Sequence, residues 1–270
     1  MEIRLDGEIA AVTGGGGILC GAMSKALARA GAKVAVLDLR REAAEAVAGD
    51  IRAAGGGAVA VACDVLRKES VEEAAAQIEA DLGGPVTILV NGAGGNLREA
   101  TTGPQQEFFD LPLNAIRAVF DLNFIGTLLP CQVFGRRMAA LDRGTIVNIS
   151  SMNALRPLTK IPAYSAAKAA VTNFTQWLAV HMSQNCSKRI RVNAIAPGFF
   201  LTDQNRFLLE DGKEGLTVRG RQIVDHTPMG RFGQAEDLLG TLLWLVSPAA
   251  AFVHGVVIPV DGGFSAYSGV

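Results

Sequence analysis

The chain places a tyrosine and a lysine at a spacing that supports proton transfer. Tyr164 and Lys168 are four residues apart in a segment whose pattern predicts a helix, so the two side chains share one helix face. A neighbouring ammonium group favours the phenolate, which predicts a pKa for Tyr164 below the reference of about 10. Ser151, just after the predicted strand Thr145–Ile149, could hydrogen-bond a carbonyl oxygen. Together these side chains predict the interconversion of a ketone and a secondary alcohol, with the phenol as acid or base.

A second cluster of residues predicts a dinucleotide site. The glycines Gly14–Gly17 follow the first predicted strand, Ile9–Val12, and precede a predicted helix. Glycines in such a turn let backbone N–H groups approach a pyrophosphate at the helix N-terminus. Asp38 closes the second predicted strand, where a carboxylate can bind the ribose 2′-hydroxyl of NAD and repel the 2′-phosphate of NADP. NAD(H) is therefore the predicted cofactor, and Arg40 and Arg41 keep NADP(H) open as the less favoured choice.

Strands and helices must alternate along the chain to bring these two clusters together. Short aliphatic runs without polar alternation predict strands that are buried on both faces. These runs are Ile9–Val12, Val34–Leu37, Val59–Ala62, Thr87–Val90, Thr145–Ile149, Ile190–Ile195 and Val256–Val260. Helical patterns between them cover Glu42–Ala54, Ser70–Leu82, Ala115–Ala140 and Ala163–Met182. The order predicts an α/β fold, a Rossmann-type doubly wound parallel sheet in a single domain over residues 1–270, with ligands at the carboxyl edge of the sheet.

Composition narrows the classes of ligand and the compartment. With 25 basic and 26 acidic residues the net charge is −1, so no bulk field recruits nucleic acid or an anionic membrane. The N-terminus lacks the pattern of a signal peptide, and the apolar runs are expected to be too short for a membrane span. The four cysteines have no metal-ligand spacing, which predicts no metal site and buried thiols in a reducing cytoplasm: Cys20, Cys63, Cys131 and Cys186.

Over essentially its full length, the sequence resembles the short-chain dehydrogenase/reductase family. The residues that carry the resemblance are Thr13-Gly14, Cys63-Asp64-Val65, Asn91-Gly92-Ala93-Gly94, Asn123, Ser151, Tyr164-Ser165-Ala166-Ala167-Lys168, Pro197 to Thr202 and Val260-Asp261-Gly262-Gly263. The resemblance implies a catalytic tetrad of Asn123, Ser151, Tyr164 and Lys168, in which Asn123 holds a water that links Lys168 to solvent. It also implies these cofactor contacts: Gly14, Gly16, Gly17, Leu19, Asp38, Asp64, Val65, Asn91, Ala93, Gly94, Tyr164, Lys168, Pro197, Gly198 and Thr202.

The glycine-rich turn departs from the family pattern at two positions. The family usually has Thr-Gly, three further residues and then Gly-x-Gly, and counting from Thr13 places those last two glycines at Ile18 and Cys20.

The resemblance further implies a symmetric homotetramer. The apolar C-terminal stretch Val256–Val270 is expected to pack between its subunits, because an exposed apolar tail is a liability.

The substrate is predicted from the polar residues near the tetrad and from the irregular segment 199–233, a predicted lid. Within the family, the segments around Asn91, Ser151 and Gly198 are most similar to sugar-acid oxidoreductases, in particular the fructuronate reductase (D-mannonate oxidoreductase) branch. A keto sugar acid would offer hydroxyls to Asn96, Asn153, Gln204 or Asn205, and a carboxylate to Arg156, Lys160 or Arg206. The alternatives are a gluconate 5-dehydrogenase, a 3-oxoacyl thioester reductase and a nicotinamide-sensing regulator without catalysis.

Overall fold

Seven parallel strands form the centre of the molecule. The computed structural model describes residues 3–202, 206–211 and 215–269. The strands are β1 (Ile9–Thr13), β2 (Lys33–Asp38), β3 (Ala58–Ala62), β4 (Ile88–Asn91), β5 (Gly144–Ile149), β6 (Ile190–Pro197) and β7 (Val257–Val260). Their order across the sheet is β3-β2-β1-β4-β5-β6-β7, with every pair parallel. The chain therefore changes winding direction between β1 and β4, which is where doubly wound sheets open a ligand crevice.

Helices cover both faces of the sheet. The described helices are α1 (Ile18–Arg29), α2 (Arg41–Ala53), α3 (Lys68–Leu82), α4 (Leu113–Phe120), α5 (Gly126–Ala140), α6 (Pro162–Asn185), α7 (Arg206–Leu209), α8 (Val218–His226) and α9 (Leu239–Val246). Successive side chains of a strand point to opposite faces. Accordingly, Ala10 and Val12 of β1 pack under α1, α2 and α9, whereas Ile9 and Ala11 pack under α3, α5 and α6. The predicted α/β fold is thus confirmed.

The predicted helix Ala115–Ala140 is interrupted. A π-helical turn, Asp121–Ile125, separates α4 from α5 and carries Asn123. The prediction that no apolar run reaches the length of a membrane span is wrong here, because the helical stretch Leu113–Ala140 has the length and hydropathy to do so. Half of its most apolar window is buried, and α5 packs on α3, β4 and β5, so this apolarity is that of a helix packed on the sheet.

Two local features differ from the sequence expectations. Cys20, Cys63 and Cys131 are buried as predicted, but Cys186 is exposed because it caps the C-terminal end of α6. The predicted lid contains α7 and α8, and a parallel bridge between Phe200 and Gly233 ties its two ends together. This bridge anchors the segment at the carboxyl end of β6; its service as a lid stays a prediction.

Candidate active site

Ser151 is held at the carboxyl end of β5. It caps a short 3-10 turn, Met152–Ala154, and its Oγ accepts the N–H of Asn153 at 3.3 Å. Only 7% of the residue is exposed. Because this N–H occupies a lone pair of the oxygen, the hydroxyl keeps its own proton for a partner.

Tyr164 lies in the first turn of α6, and its phenol is hydrogen-bonded to Ser151. Burial raises the pKa of Tyr164, and the bond to Ser151 offsets part of that rise. The expectation of a lowered pKa is therefore wrong for this structure. The physical reason is that the ammonium of Lys168 lies 5.6 Å from the ring centroid and donates its hydrogen bond elsewhere, so desolvation of the phenol dominates.

Lys168 is a buried cation that binds the backbone of the neighbouring strand. Its Nζ donates to the carbonyl oxygen of Ile149 at 2.8 Å, and 4% of the residue is exposed. Burial lowers the pKa of Lys168 to about 8, and the Cys20 thiol works weakly in the opposite direction. The lysine therefore links α6 to the end of β5 and also stands close to the first turn of α1.

Asn123 joins the π-helical turn to the loop after β4. Its Nδ2 donates to the carbonyl oxygens of Gly95 and Val119, both at 2.7 Å, and its Oδ1 accepts the N–H of Gly95 at 3.3 Å. A Cβ on Gly94 would lie 2.6 Å from this Oδ1 and 3.3 Å from Lys168 Nζ, so only glycine leaves both groups undisturbed. The structure thus brings the four predicted tetrad residues to one edge of the sheet, while the water link through Asn123 stays a prediction.

The glycine-rich turn forms a close-fitting support in front of α1. Gly14 has φ +63°, and a Cβ there would lie 2.9 Å from the α-carbon of Ala93. Gly17 caps α1 without a side chain, so the first N–H groups of the helix, including that of Leu19, have no capping side chain. Such an N-terminus suits a phosphate. Despite the departures at Ile18 and Cys20, the turn therefore keeps the form that a dinucleotide phosphate needs.

Asp38 is oriented by the same turn. Its Oδ2 accepts the N–H of Gly16 and its Oδ1 accepts the N–H of Arg40, each at 3.1 Å. A Cβ on Gly16 would lie 2.9 Å from Oδ2 and 2.6 Å from the Cβ of Ala43. The carboxylate is half-buried beside the glycine backbone, while the side chain of Arg40 is exposed. Asp38 would hold the adenosine ribose of a nicotinamide dinucleotide, and the backbone of Gly16 and Gly17 would hold its pyrophosphate.

Most of the other predicted cofactor residues lie at the carboxyl edge of the sheet, and one has its side chain in the core. Asp64 is half-buried and accepts the N–H of Leu66 at 3.0 Å, and Val65 is buried beside it. Gly198 directly follows Pro197, the last residue of β6, and a Cβ on it would come within 2.6 Å of Asp261; Thr202 follows four residues later. Asn91 differs, because its side chain is directed into the core.

The amide of Asn91 belongs to a buried polar network between the sheet and two helices. It donates to Asn148 Oδ1 at 2.9 Å and to Cys131 Sγ at 3.1 Å, and Asn148 in turn donates to Thr175 at 2.9 Å. The side chain of Asn91 therefore stabilises the end of β4, and the structure does not bring it to the cofactor edge.

The predicted substrate residues have different surroundings. Asn96 is exposed and donates to Thr101 at 2.9 Å. Asn153 is 5% exposed, and its Oδ1 has no hydrogen-bond partner among the described residues. Arg156 is exposed without an ion pair in the described part of the chain, whereas Arg206 is paired with Glu210 at 2.6 Å. Asn205 and Gln204 lie outside the described residues.

Two features of the site were missed by the sequence reasoning. The Thr13 hydroxyl accepts the N–H groups of Gly92 and Ala93 at 3.1 and 3.2 Å, which joins the ends of β1 and β4. Thr13 was noted as a motif residue, so its position after β1 was the available signal. Lys160 has φ +75°, and its carbonyl accepts the N–H of Thr102 at 2.8 Å. No sequence signal marks a lysine for the left-handed region.

The lowered pKa of Lys168 predicts how stability depends on pH. Between pH 8 and about 10 the folded lysine is neutral and the unfolded lysine is protonated, so the unfolded chain binds one more proton. The free energy of unfolding of the wild type, relative to Lys168→Met, should therefore rise by up to about 1.4 kcal/mol per pH unit in this range. Denaturant unfolding at pH 7–10 measures it. The same substitution at the exposed Lys188 is the matched control, and a difference for Lys168 that is no steeper than the one for Lys188 would contradict the lowered pKa.

Known proteins are similar to this chain in sequence and in fold. A family model described as enoyl-(acyl carrier protein) reductase matches residues 18–265. The uncharacterized oxidoreductase UxuB of Bacillus subtilis (strain 168) is 50% identical over 276 residues, which cover 99% of this chain and 98% of the relative. A crystal structure of a protein from Haemophilus influenzae, proposed to be a D-mannonate oxidoreductase and with NAD bound, is 50% identical with a TM-score of 0.93, covering 99% of this chain and 98% of that chain.

A more distant structure shows the range of cofactors among such proteins. A gluconate 5-dehydrogenase from Burkholderia cenocepacia J2315, in complex with NADP and tartrate, is 32% identical with a TM-score of 0.87 and covers 98% of each chain. The site geometry, the family match and the similarity to dehydrogenases along nearly the whole length agree with one another. The chain belongs to the short-chain dehydrogenase/reductase family and is a nicotinamide-dependent oxidoreductase.

Proposed function

We propose that the protein is an NADH-dependent reductase of a keto sugar acid, with D-fructuronate and D-mannonate as the substrate pair. The observation that carries the proposal is the meeting of Ser151, Tyr164 and Lys168 at the sheet edge that also holds the glycine turn and Asp38. Asn153 provides a polar side chain next to Ser151, and the exposed Arg156, which has no ion pair among the described residues, provides a cation on the same segment. The similarity to the Haemophilus influenzae protein that is proposed to be a D-mannonate oxidoreductase supports this substrate class.

Ser151 and Tyr164 have different roles in the proposed reaction. When bound, a reduced nicotinamide supplies the hydride. Ser151 donates its hydroxyl proton to a hydrogen bond with the substrate carbonyl, because its oxygen already accepts the N–H of Asn153. Tyr164 transfers its proton to the same oxygen as negative charge develops there. The raised pKa of Tyr164 keeps it protonated before the reaction, which is the state that a general acid needs.

Lys168 supports the acid and holds the nicotinamide ribose. Its bond to the Ile149 carbonyl uses one of three N–H donors, which leaves two for ribose hydroxyls. The nearby ammonium would also stabilise Tyr164 after its proton has left, since an opposite charge favours the phenolate. The lysine therefore serves both cofactor affinity and the proton transfer.

A substrate panel tests this function. NADH oxidation should be fastest with D-fructuronate, slower by at least ~10-fold in kcat/KM with D-fructose, which lacks the carboxylate, and absent with an acetoacetyl thioester. The reason is that a charge-assisted pair with a cation contributes ~1.5–3 kcal/mol. Preference for the thioester would replace the sugar-acid proposal with a 3-oxoacyl reductase, and no oxidation of NADH by any ketone would favour a non-catalytic regulator.

Two arginines provide a matched control for the carboxylate. Arg156 has no ion-pair partner among the described residues, while Arg206 is already held by Glu210. Arg156→Gln should raise the KM for D-fructuronate by at least ~10-fold and leave kcat/KM for D-fructose unchanged. Arg206→Gln should change neither value by more than ~3-fold. The reverse pattern would assign the carboxylate to Arg206.

Asp38 is proposed to select NAD(H) over NADP(H). A 2′-phosphate would face a carboxylate that is fixed by the N–H groups of Gly16 and Arg40 and cannot turn away without losing both bonds. NADH should exceed NADPH in kcat/KM by at least ~10², and Asp38→Ser should cut this ratio at least ~10-fold, as steady-state kinetics would measure. Equal values in the wild type would contradict the role of Asp38, and Arg40 would then be the residue to examine.

We further propose that four copies assemble, by a surface other than the one expected from the tail. Phe264 and Tyr267 pack on His226 of the same chain, so the tail is partly covered without a partner. More exposed apolar side chains lie on α6, where Trp177 is 58% and Val180 is 55% exposed, compared with 37% for Tyr267. A monomer mass by light scattering at micromolar concentration would rule out the assembly.

A further inference from the structure

Cys20 stands where the family pattern has a glycine, and the structure shows what its side chain contacts. It lies in the first turn of α1 and is 7% exposed. Its sulfur rests against Gly92, the residue that follows β4, and a Cβ added to Gly92 would overlap the sulfur. A side chain on α1 thus fills the space that a side chain on the β4 loop would otherwise occupy.

The loop that Cys20 contacts connects the cofactor turn with the catalytic residues. On one side the N–H groups of Gly92 and Ala93 bind the hydroxyl of Thr13. On the other side Gly95 exchanges two hydrogen bonds with Asn123, at 2.7 and 3.3 Å. Between them, Gly94 leaves just enough room for Lys168. A shift of this loop would therefore move both the phosphate support and the surroundings of the lysine.

We propose that Cys20 is a positioning residue whose sulfur sets the separation between the first turn of α1 and the loop Gly92–Gly95, with Gly92 as its required partner. The sulfur is a spacer that fills the gap between the first turn of α1 and Gly92 by van der Waals contact. If it is removed, the first turn of α1 can approach the loop, and the N–H groups that face the pyrophosphate lose their fixed place. The proposal rests on the proposed use of NADH.

The thiol acts by its size and not by its reactivity. Burial raises the pKa of Cys20 to about 12, and the nearby Lys168 only partly offsets this rise. The sulfur therefore stays protonated and neutral at physiological pH, and such a thiol is a poor nucleophile. Cys20 consequently behaves as a small apolar side chain in close packing.

A double-mutant cycle between Cys20 on α1 and Gly92 on the loop after β4 tests the proposal. The Kd for NADH is measured by NADH fluorescence in the absence of substrate. Cys20→Gly should raise the Kd for NADH about 5-fold, because it leaves a gap. Gly92→Ala should raise it at least ~10-fold, because the added methyl overlaps the sulfur. The double variant moves the side chain from α1 to the loop after β4, so its Kd for NADH should return to within ~3-fold of the wild type. The conservative Cys20→Ser should also stay within ~3-fold.

A matched pair shows that the coupling is specific. A Cβ on Gly240 of α9 would meet nothing within 4 Å, so Cys20→Gly combined with Gly240→Ala should keep the 5-fold defect of Cys20→Gly alone. If Gly92→Ala alone yields no folded protein, recovery of folding and NADH binding in the double variant is the expected result. Additive effects on Kd in the Cys20–Gly92 pair would overturn the proposal.

Thermal unfolding separates positioning from packing alone. Coupling in both Tm and Kd supports the proposal, whereas coupling in Tm with additive effects on Kd would overturn it, because the pair would then stabilise the fold without placing the cofactor groups. The Kd for NADH is measured without substrate. If D-fructuronate is not a substrate, the proposed function is refuted, but the coupling between Cys20 and Gly92 in the Kd for NADH can still be interpreted.

Discussion

The hydrogen bond from Lys168 to the carbonyl of Ile149 connects the parts of the site that must act together. It joins α6 to the carboxyl end of β5 at 2.8 Å, and it places the lysine Nζ beside Gly94. One turn earlier on the same helix, Tyr164 meets Ser151. Burying an ammonium group is costly, and this desolvation lowers the pKa of Lys168.

The topology of the sheet explains why distant segments converge. All seven strands are parallel, so the turns after β1, β4, β5 and β6 open at one edge. The change of winding between β1 and β4 separates the helices there and leaves room for a ligand. The loop Gly92–Gly95 crosses this opening and touches both halves of the site, through Thr13 on one side and Asn123 on the other. Small residues are required there because α1, the glycine turn and Lys168 all approach its backbone.

The sequence predicted the elements well where one physical rule governs a segment. Buried parallel strands are aliphatic on both faces, and all seven were recognised, with ends within about one residue for β2 and β3. The spacing of Tyr164 and Lys168 placed them on one helix face because helical geometry is local. By contrast, Asn123 in the π-helical turn donates to the carbonyl of Gly95, which lies 28 residues earlier in the chain, so no local pattern reveals this contact.

The errors share a physical cause. The raised pKa of Tyr164 was missed because desolvation depends on the packing of the whole site and on where the lysine donates its bonds. The core position of the Asn91 side chain was missed because the motif fixes the residue at a strand end and does not fix which face it points to. The packing of Cys20 on Gly92 joins residues 72 positions apart, beyond any local pattern.

The central claim is that Tyr164 delivers the proton to the substrate oxygen. Single-turnover reduction, with NADH bound in advance and the best ketone of the substrate panel at saturation, tests it most directly. Tyr164→Phe removes only the hydroxyl, so the account predicts an unchanged Kd for NADH and a rate of NADH oxidation lower by at least ~10². A rate close to that of the wild type would contradict the account and would assign the proton to another group, with His226 or a water near Asn123 as the first to examine.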